Sequence, residues 1–202
     1  MLKLTIDGIK AGIMIAIGGS VFLACENRYI GAILFSVALL SICLKGYSLF
    51  TGKVGYLPEN HSKKAVKILL CGLLGNIVST ILLGFAVSFA NPALGEAAKV
   101  ICEAKLSQEA LQTFIRAFFC GVLMYMAVST YREKNTLAGI FFCVPVFILS
   151  GFEHSIANMF YFGASGIVSL EAFAYIWTVI LGNSIGGMLF PILKLPRKQA
   201  NK

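Results

Sequence analysis

Charged residues are scarce in this sequence, and their scarcity bounds the class of protein. Of its 202 residues only 13% are Asp, Glu, Lys or Arg, whereas 58% are hydrophobic and the mean hydropathy is +0.84. Because a soluble domain averages about 25% charged residues, a sizeable soluble domain is excluded and an all-α integral membrane protein is predicted. A bilayer-spanning helix needs about 20 apolar residues, so the length allows roughly five to seven spans.

Histidine is almost absent as well. His61 and His154 are the only histidines, so there is no H-E-x-x-H pair for a zinc ion, and neither a metal site nor a cofactor is predicted. The six cysteines show no C-x-x-C spacing and are interpreted as small core residues rather than metal ligands or disulfides. An intramembrane enzyme that uses Glu153 and His154 is the disfavoured alternative, and the protein is predicted not to be an enzyme.

The apolar residues fall into six runs, each predicted to be a helix because a lone span must satisfy its backbone hydrogen bonds internally. The runs are 9–24, 29–50, 66–90, 109–130, 136–162 and 169–193. The connections between them are short, except for a predicted loop at 91–108. The first run lacks an A-x-A-like exit and is followed directly by more spans, so no cleavable signal peptide is expected.

Basic residues predict the orientation of the spans. The net charge of +8 is interpreted as loop residues that face the cytoplasm rather than as a nucleic-acid surface. Segments on one side of the six-span path carry Lys3, Lys10, Lys63, Lys64, Lys67, Arg132, Lys134, Lys194, Arg197, Lys198 and Lys202. The opposite connections hold Arg28 and the 91–108 segment, whose two lysines are balanced by two glutamates. The chain is therefore predicted to lie in the cytoplasmic (inner) membrane with both termini cytoplasmic.

The two halves of the chain share their order of features. The second span of each half is interrupted, in "SLFTGKVGYLP" (48–58) and in "SGFEHS" (150–155), and a further break is expected at Pro145. The third span of each half contains Gly-Asn, at 75–76 and at 182–183. Paired interruptions at matching positions indicate a channel or transporter site at a repeat interface. Close helix packing through small residues is the alternative for the glycines.

These features predict one transmembrane domain over residues 1–202. Three spans from an inside terminus end outside, so the first repeat (1–90) and the second repeat (109–193) run in opposite directions. The predicted fold is therefore six transmembrane helices in an inverted three-plus-three repeat, with interrupted second and fifth helices.

The stretch "SGFEHSIANMFYF" places ionisable groups inside an apolar run. A charge at the bilayer centre costs about 2.5–3.5 kcal/mol on insertion scales, so Glu153 and His154 must pair, face an aqueous cavity or stay neutral. Asn158, one turn after His154, is predicted to orient its ring. Glu153 points roughly 100° away around a helix, so it is predicted to have a structural role rather than to bind substrate. Its predicted partner is a backbone donor or a basic residue of a neighbouring span. Thr51, in the other interruption, offers a hydroxyl group.

These segments resemble the formate–nitrite transporter family of pentameric channels for small monovalent anions. The resemblance is carried by "GFEHSIANMF", "LFTGK" and the paired Gly-Asn segments, and it covers nearly the whole chain. It implies an aquaporin-like protomer, a homopentamer in the lipid bilayer, no nucleic-acid partner, and a small anionic substrate. Formate or nitrite is the first expectation, and hydrosulfide or another weak-acid anion is the alternative.

The resemblance also implies roles for individual residues. His154 is then the central pore histidine, Thr51 its partner, and Lys105 an outer lysine that attracts anions, while Asn158 belongs to the same pathway. Two hydrophobic constrictions are implied, lined by Phe35 and Phe147 on one side and by Leu39, Phe50 and Met124 on the other. The structural polar residues are Glu153, Asn76 and Asn183.

Three positions depart from the family's pattern. Ser48 replaces an acidic residue, Lys53 replaces an Asn, and Gly121 replaces an Asn of the fourth span. Lys53 is expected to add positive charge near the inner mouth if it faces the pore, and Gly121 to widen the slit or to remove a hydrogen bond.

Two questions stay open on the sequence. His154 either donates a proton to the anion, which then crosses the apolar ring as the neutral acid, or only polarises it. "NPA" at 91–93 is also found in aquaporins, but a neutral-solute pore needs two such motifs, so chance occurrence is the preferred interpretation.

Overall fold

A computed structural model describes residues 1–194, and these residues form nine α-helices and one short 3₁₀ turn, with no strand among them. The helices are α1 (Leu2–Ala24), α2 (Arg28–Lys45), α3 (Phe50–Lys53), α4 (Lys63–Ala90), α5 (Pro92–Leu106), α6 (Ala110–Lys134), α7 (Ala138–Leu149), α8 (Ser155–Ser165) and α9 (Leu170–Leu193), and the 3₁₀ turn is Val54–Tyr56. The predicted cytoplasmic residues Arg197, Lys198 and Lys202 lie outside the described residues.

Five of the described helices are long and apolar enough to cross a membrane: α1, α2, α4, α6 and α9. The fifth apolar run is divided between α7, which is apolar but has only 12 residues, and the 11-residue α8. The helix α1 begins at Leu2 rather than at the predicted residue 9, so Lys3 and Lys10 lie inside it. All six cysteines are free.

The prediction of a loop at 91–108 is wrong, because most of this segment forms the helix α5. Pro92 occupies its first turn, where a missing N–H costs nothing. Gly95, Ala98 and Cys102 are buried at helical spacing and face α8 and α4, so this amphipathic helix packs along the bundle. Its position brings Lys105 close to the second interruption.

The two interruptions begin in the same way. Gly46 follows α2 and Gly151 follows α7, each with a φ of 68°, a left-handed conformation that ends a helix at little cost only for glycine. The chain is then extended for a few residues before α3 begins at Phe50 and α8 begins at Ser155. The expectation of a helix break at Pro145 is wrong, because α7 continues through that residue to Leu149.

Glycines allow the two most extensive helix pairs, α1 with α4 and α6 with α9, to approach closely. A Cβ atom on Gly75 of α4 would overlap the carbonyl oxygen of Thr5 in α1. Likewise, a Cβ atom on Gly186 of α9 would overlap the carbonyl oxygen of Phe118 in α6. Small residues thus set both helix contacts, as is typical of membrane helices.

Gly186→Ala is expected to lower the thermal stability of the protein markedly, whereas Gly187→Ala is not. At Gly186 the added methyl group meets the backbone of α6, which cannot rotate away, and overpacking of this kind costs about 1–3 kcal/mol or more. At Gly187 the nearest atom to an added Cβ lies 3.5 Å away, an ordinary contact. Melting curves in one detergent compare the two variants, and equal melting temperatures would contradict the proposed packing of α6 on α9.

Candidate functional site

Two buried asparagines hold the ends of the interruptions. The N–H of Phe50, the first residue of α3, donates to Asn76 Oδ1 (2.9 Å), and Asn76 Nδ2 donates to the carbonyls of Ser48 (3.0 Å) and Gly8 (2.8 Å). Each Gly-Asn segment of the sequence therefore satisfies backbone groups that a broken helix leaves open.

Asn183 repeats this arrangement at the second interruption. The N–H of Ser155, the first residue of α8, donates to Asn183 Oδ1 (2.8 Å), and Asn183 Nδ2 donates to the carbonyls of Glu153 (2.7 Å) and Ala117 (2.8 Å). Asn76 and Asn183 are both fully buried. The sequence predicted a structural role for both, and the structure places both beside the interruptions.

The two interruptions meet through Thr51 and His154. Thr51 Oγ1 lies 2.9 Å from His154 Nε2, and both side chains are buried, at 2% and 3% exposure. Thr51 lies in the first turn of α3, and His154 immediately precedes α8. The structure therefore brings together two polar side chains that are 103 residues apart in sequence.

The other ring nitrogen of His154 caps the helix α8. The N–H of Ala157 donates to His154 Nδ1 (3.1 Å), so this nitrogen acts as an acceptor and carries no proton in that arrangement. A neutral ring then has its proton on Nε2, which faces Thr51. Asn158 does not orient the ring as predicted, because its Nδ2 donates to Glu153 Oε2 instead (2.9 Å).

Glu153 is the centre of a polar cluster. Its side chain is almost fully buried and forms an ion pair with Lys105 of α5. Asn158 Nδ2 (2.9 Å) and Gln108 Nε2 (3.3 Å) also donate to its carboxylate. The sequence analysis predicted a structural role for Glu153 through a backbone donor or a basic residue of a neighbouring span, and Lys105 of α5 is the basic residue that contacts it. The helical angle that supported it is wrong, because residues 152–154 are not helical.

The predicted constriction residues are all buried. The rings of Phe35 and Phe147 meet edge to face with centroids 6.4 Å apart, and Phe147 stacks on the His154 ring at 5.6 Å. Leu39, Phe50 and Met124 are exposed by 5% or less. None of the five residues forms a surface for lipid, and all five belong to the buried hydrophobic core.

Two cavities of similar size border this core. The first, called the Glu153 cavity, has a volume of about 410 Å³. Its lining includes Phe35, Phe147, His154, Glu153, Asn158, Lys105, Gln108, Arg28, Arg116 and Tyr161. It therefore contains half of the predicted site residues and gives His154 access to an open space.

The second cavity, called the Lys53 cavity, has a volume of about 440 Å³. Its lining includes Leu39, Ile42, Cys43, Leu49, Gly52, Lys53, Tyr56, Asn60, Leu69, Tyr131 and Arg132. The residues that follow Thr51 therefore border one cavity, whereas its partner His154 borders the other.

Two of the three departures from the family pattern, Lys53 and Gly121, lie in different surroundings. Lys53 does face a cavity. Gly121 does not face one, because a Cβ atom there would overlap the carbonyl oxygen of Asn183 in α9. The expected effect of Gly121 on the slit is therefore wrong, since the residue serves helix packing.

Sequence reasoning missed several polar residues of the Glu153 cavity. Arg116 lies within the fourth apolar run, where an ionisable residue is a functional signal by itself. Gln108 lies three residues after Lys105, just beyond the end of α5. Arg28 donates from Nη2 to the carbonyl of Ile148 (3.3 Å) at the end of α7.

The residues 182–186 read G-N-S-I-G and thus match the letters of the G-x-S-x-G motif, which sequence reasoning also missed. The motif needs a strained turn between a strand and a helix to expose its serine. Ser184 instead lies inside α9 and donates to the carbonyl of Ile180 (2.7 Å). The match therefore does not form a nucleophile site.

A helical membrane protein whose interrupted spans meet at buried polar groups beside two cavities has the architecture of a membrane transport protein. The sequence profile of the family described as "Formate/nitrite transporter" matches residues 1–195. The chain belongs to this family, and the resemblance stated from the sequence is confirmed.

Individual relatives agree with this assignment. The chain is 29% identical to the "Nitrite transporter NirC" of Escherichia coli over 77% of its own length and 66% of that protein. It is 26% identical to the "Uncharacterized transporter YwcJ" of Bacillus subtilis over 93% of its length and 86% of that protein.

Solved structures share the fold. An "FNT family ion channel" has a TM-score of 0.75 at 22% identity and covers 94% of this chain and 85% of its own. A "Pentameric formate channel with formate bound" has a TM-score of 0.71 at 25% identity and covers 94% of both chains. The all-helical architecture is therefore shared with channels of the family.

Proposed function

We propose that this protein conducts small monovalent anions, formate or nitrite first, across the cytoplasmic membrane. The observation that carries the proposal is the buried contact between Thr51 and His154, which joins the two interrupted spans. His154 lines one cavity, and the residues that follow Thr51 line the other. The names of the relatives, a nitrite transporter and a formate channel, support this choice of substrate.

The electrostatics of the Glu153 cavity suit an anion. Its lining contains Arg28, Lys105 and Arg116 but only one carboxylate, that of Glu153. A cleft with an excess of positive charge and apolar walls concentrates anions and offsets part of their desolvation. The ion pair with Glu153 fixes the ammonium group of Lys105 at the edge of the path to His154.

The hydrogen bonds of His154 favour a neutral ring that acts as a donor. Because Nδ1 accepts the N–H of Ala157, the proton on Nε2 points toward Thr51, whose hydroxyl hydrogen is then free for a passing anion. Release of the Nε2 proton from a neutral ring would leave an imidazolate anion between apolar walls, which is costly. We therefore favour polarisation of the anion by His154 and Thr51, with any coupled proton supplied through water.

The assembly and the topology belong to the same proposal. The equivalent contacts of Asn76 and Asn183 support an inverted three-plus-three repeat, with residues 1–90 and 109–193 as its halves in one domain. The pentameric formate channel supports a homopentamer in the lipid bilayer with one path per protomer. The basic residues support cytoplasmic termini.

A substrate panel in proteoliposomes tests the function. We expect formate and nitrite to pass, and glycerol and sulfate to be excluded, because the narrow polar contact lies among apolar side chains. Hydrosulfide belongs in the same panel. Passage of glycerol without any anion would replace this proposal with a neutral-solute pore.

His154→Asn measured in the same assay tests the site. We expect a flux that is reduced about tenfold or more, because the ring that presents Nε2–H to the anion is gone. His61→Asn is the matched control, since His61 is exposed and lies outside both cavities. If both variants conduct like the unmodified protein at every pH, His154 does not lie on the path.

A further inference from the structure

The Lys53 cavity contains two cations and no carboxylate. Lys53, which is half-buried, and Arg132, which is exposed, both contribute to its lining, whereas no Asp or Glu does. Within residues 1–194 neither cation forms a salt bridge. By contrast, the Glu153 cavity holds a carboxylate that pairs with its lysine. The Asp7 carboxylate, which interacts with Lys53 from outside the cavity lining, is paired with Lys10. The two cations of the cavity therefore keep a positive charge that an ion from solution can meet.

The two cations are held near the path by the local fold. Lys53 ends the four-residue helix α3, which also carries Thr51. The Arg132 guanidinium lies over the ring of Tyr56, 4.1 Å from its centroid, and Tyr56 belongs to the 3₁₀ turn that follows Lys53. Such cation–π contacts attract the guanidinium group to the face of the ring. They orient the arginine without neutralising its charge.

We propose that Lys53 and Arg132 form a second anion-binding station, which holds a small monovalent carboxylate or oxyanion before or after it passes His154. This inference rests on the proposed function. The walls of the cavity are mostly aliphatic and aromatic, which strengthens the attraction between an ion and the two cations. A volume of about 440 Å³ leaves room for an anion together with several of its waters. The station thus collects the hydrated ion, and dehydration follows at Thr51.

A native cysteine reports on this cavity. Cys43 of α2 lines it, is partly exposed and is free. In a variant that keeps Cys43 as its only cysteine, an anionic thiol reagent (methanethiosulfonate ethylsulfonate) and a cationic one (its ethyltrimethylammonium analogue) are compared. The ratio of their labelling rates measures the local potential, because the intrinsic reactivity of the thiol cancels. Asn60→Cys, in a chain without other cysteines, supplies an exposed second reporter in the same cavity.

We expect the anionic reagent to be strongly preferred, and Lys53→Asn combined with Arg132→Gln to reduce the rate ratio about tenfold or more. Lys63→Asn is the control, since it removes an exposed lysine that lies outside the cavity. Formate and nitrite at millimolar concentration should slow the labelling of the unmodified cavity and leave the double variant unaffected.

Two outcomes overturn the station. The first is a rate ratio that the double variant leaves unchanged at both reporters. The second is a ratio that falls although neither formate nor nitrite protects the cysteine, because the cations then create a potential without binding an ion. The flux of anions measured in the same preparation distinguishes a failure of the second anion-binding station from a failure of the proposed function. A protein that conducts formate without protection of Cys43 refutes the station alone, and one that excludes every anion refutes the proposed function.

Discussion

Glu153→Ala is expected to lower the stability of the protein by about 3 kcal/mol, because removing one partner of a buried ion pair leaves the other charge uncompensated. The Lys105 side chain is only 14% exposed, and Asn158 and Gln108 also lose their acceptor. Thermal unfolding in detergent and the yield of assembled protein measure the effect.

Two controls make the test of Glu153 specific. Glu103→Ala removes an exposed carboxylate from the same helix as Lys105 and should change the melting temperature little. Adding Lys105→Ala to Glu153→Ala should recover part of the loss, since the unpaired ammonium group is then removed. A Glu153→Ala protein that melts like the Glu103→Ala protein would show that the ion pair does not stabilise the fold.

Asn183→Ala is expected to have an effect of similar size for a different reason. The change leaves three buried backbone groups without their partner: the N–H of Ser155 and the carbonyls of Glu153 and Ala117. Each buried group left unsatisfied costs about 1–3 kcal/mol, so a total of about 3 kcal/mol is a conservative expectation. Because Ser155 follows His154 directly, the flux of anions should fall as well.

The equivalent asparagine and a neighbouring serine complete this experiment. Asn76→Ala should be destabilised comparably, because Asn76 makes the same kinds of contact at the first interruption. Ser184→Ala removes only a bond between a hydroxyl group and the backbone of the same helix, and should be nearly neutral. If Asn183→Ala and Ser184→Ala have equal stability, the asparagine does not organise the interruption.

Much of the candidate site was predictable because its residues are unusual for their surroundings. A histidine and a glutamate inside an apolar run, and an Asn after Gly in two matching spans, are conspicuous in a chain with so few polar groups. The family resemblance then paired His154 with Thr51, and the two side chains are within hydrogen-bond distance.

Other parts of the site were mispredicted because local rules were applied where the chain is irregular. The 100° separation assumed for Glu153 and His154 holds only in a helix, and these residues precede α8. Asn158 was paired with His154 on the same reasoning, yet it binds Glu153. The helix α5 was missed because its polarity is typical of a loop, and its amphipathic face is visible only against α4 and α8.

By itself the sequence determined that this is a helical membrane protein with two interrupted spans. Hydropathy and glycine positions are local properties, and a bilayer allows few other structures. Only the tertiary structure decided which polar groups share a contact. Thr51 and His154 are 103 residues apart, and Lys105 and Glu153 are 48 apart. Such contacts depend on how the helices pack, which glycines such as Gly186 and Gly121 permit by close approach of two backbones, a relation that no local pattern encodes.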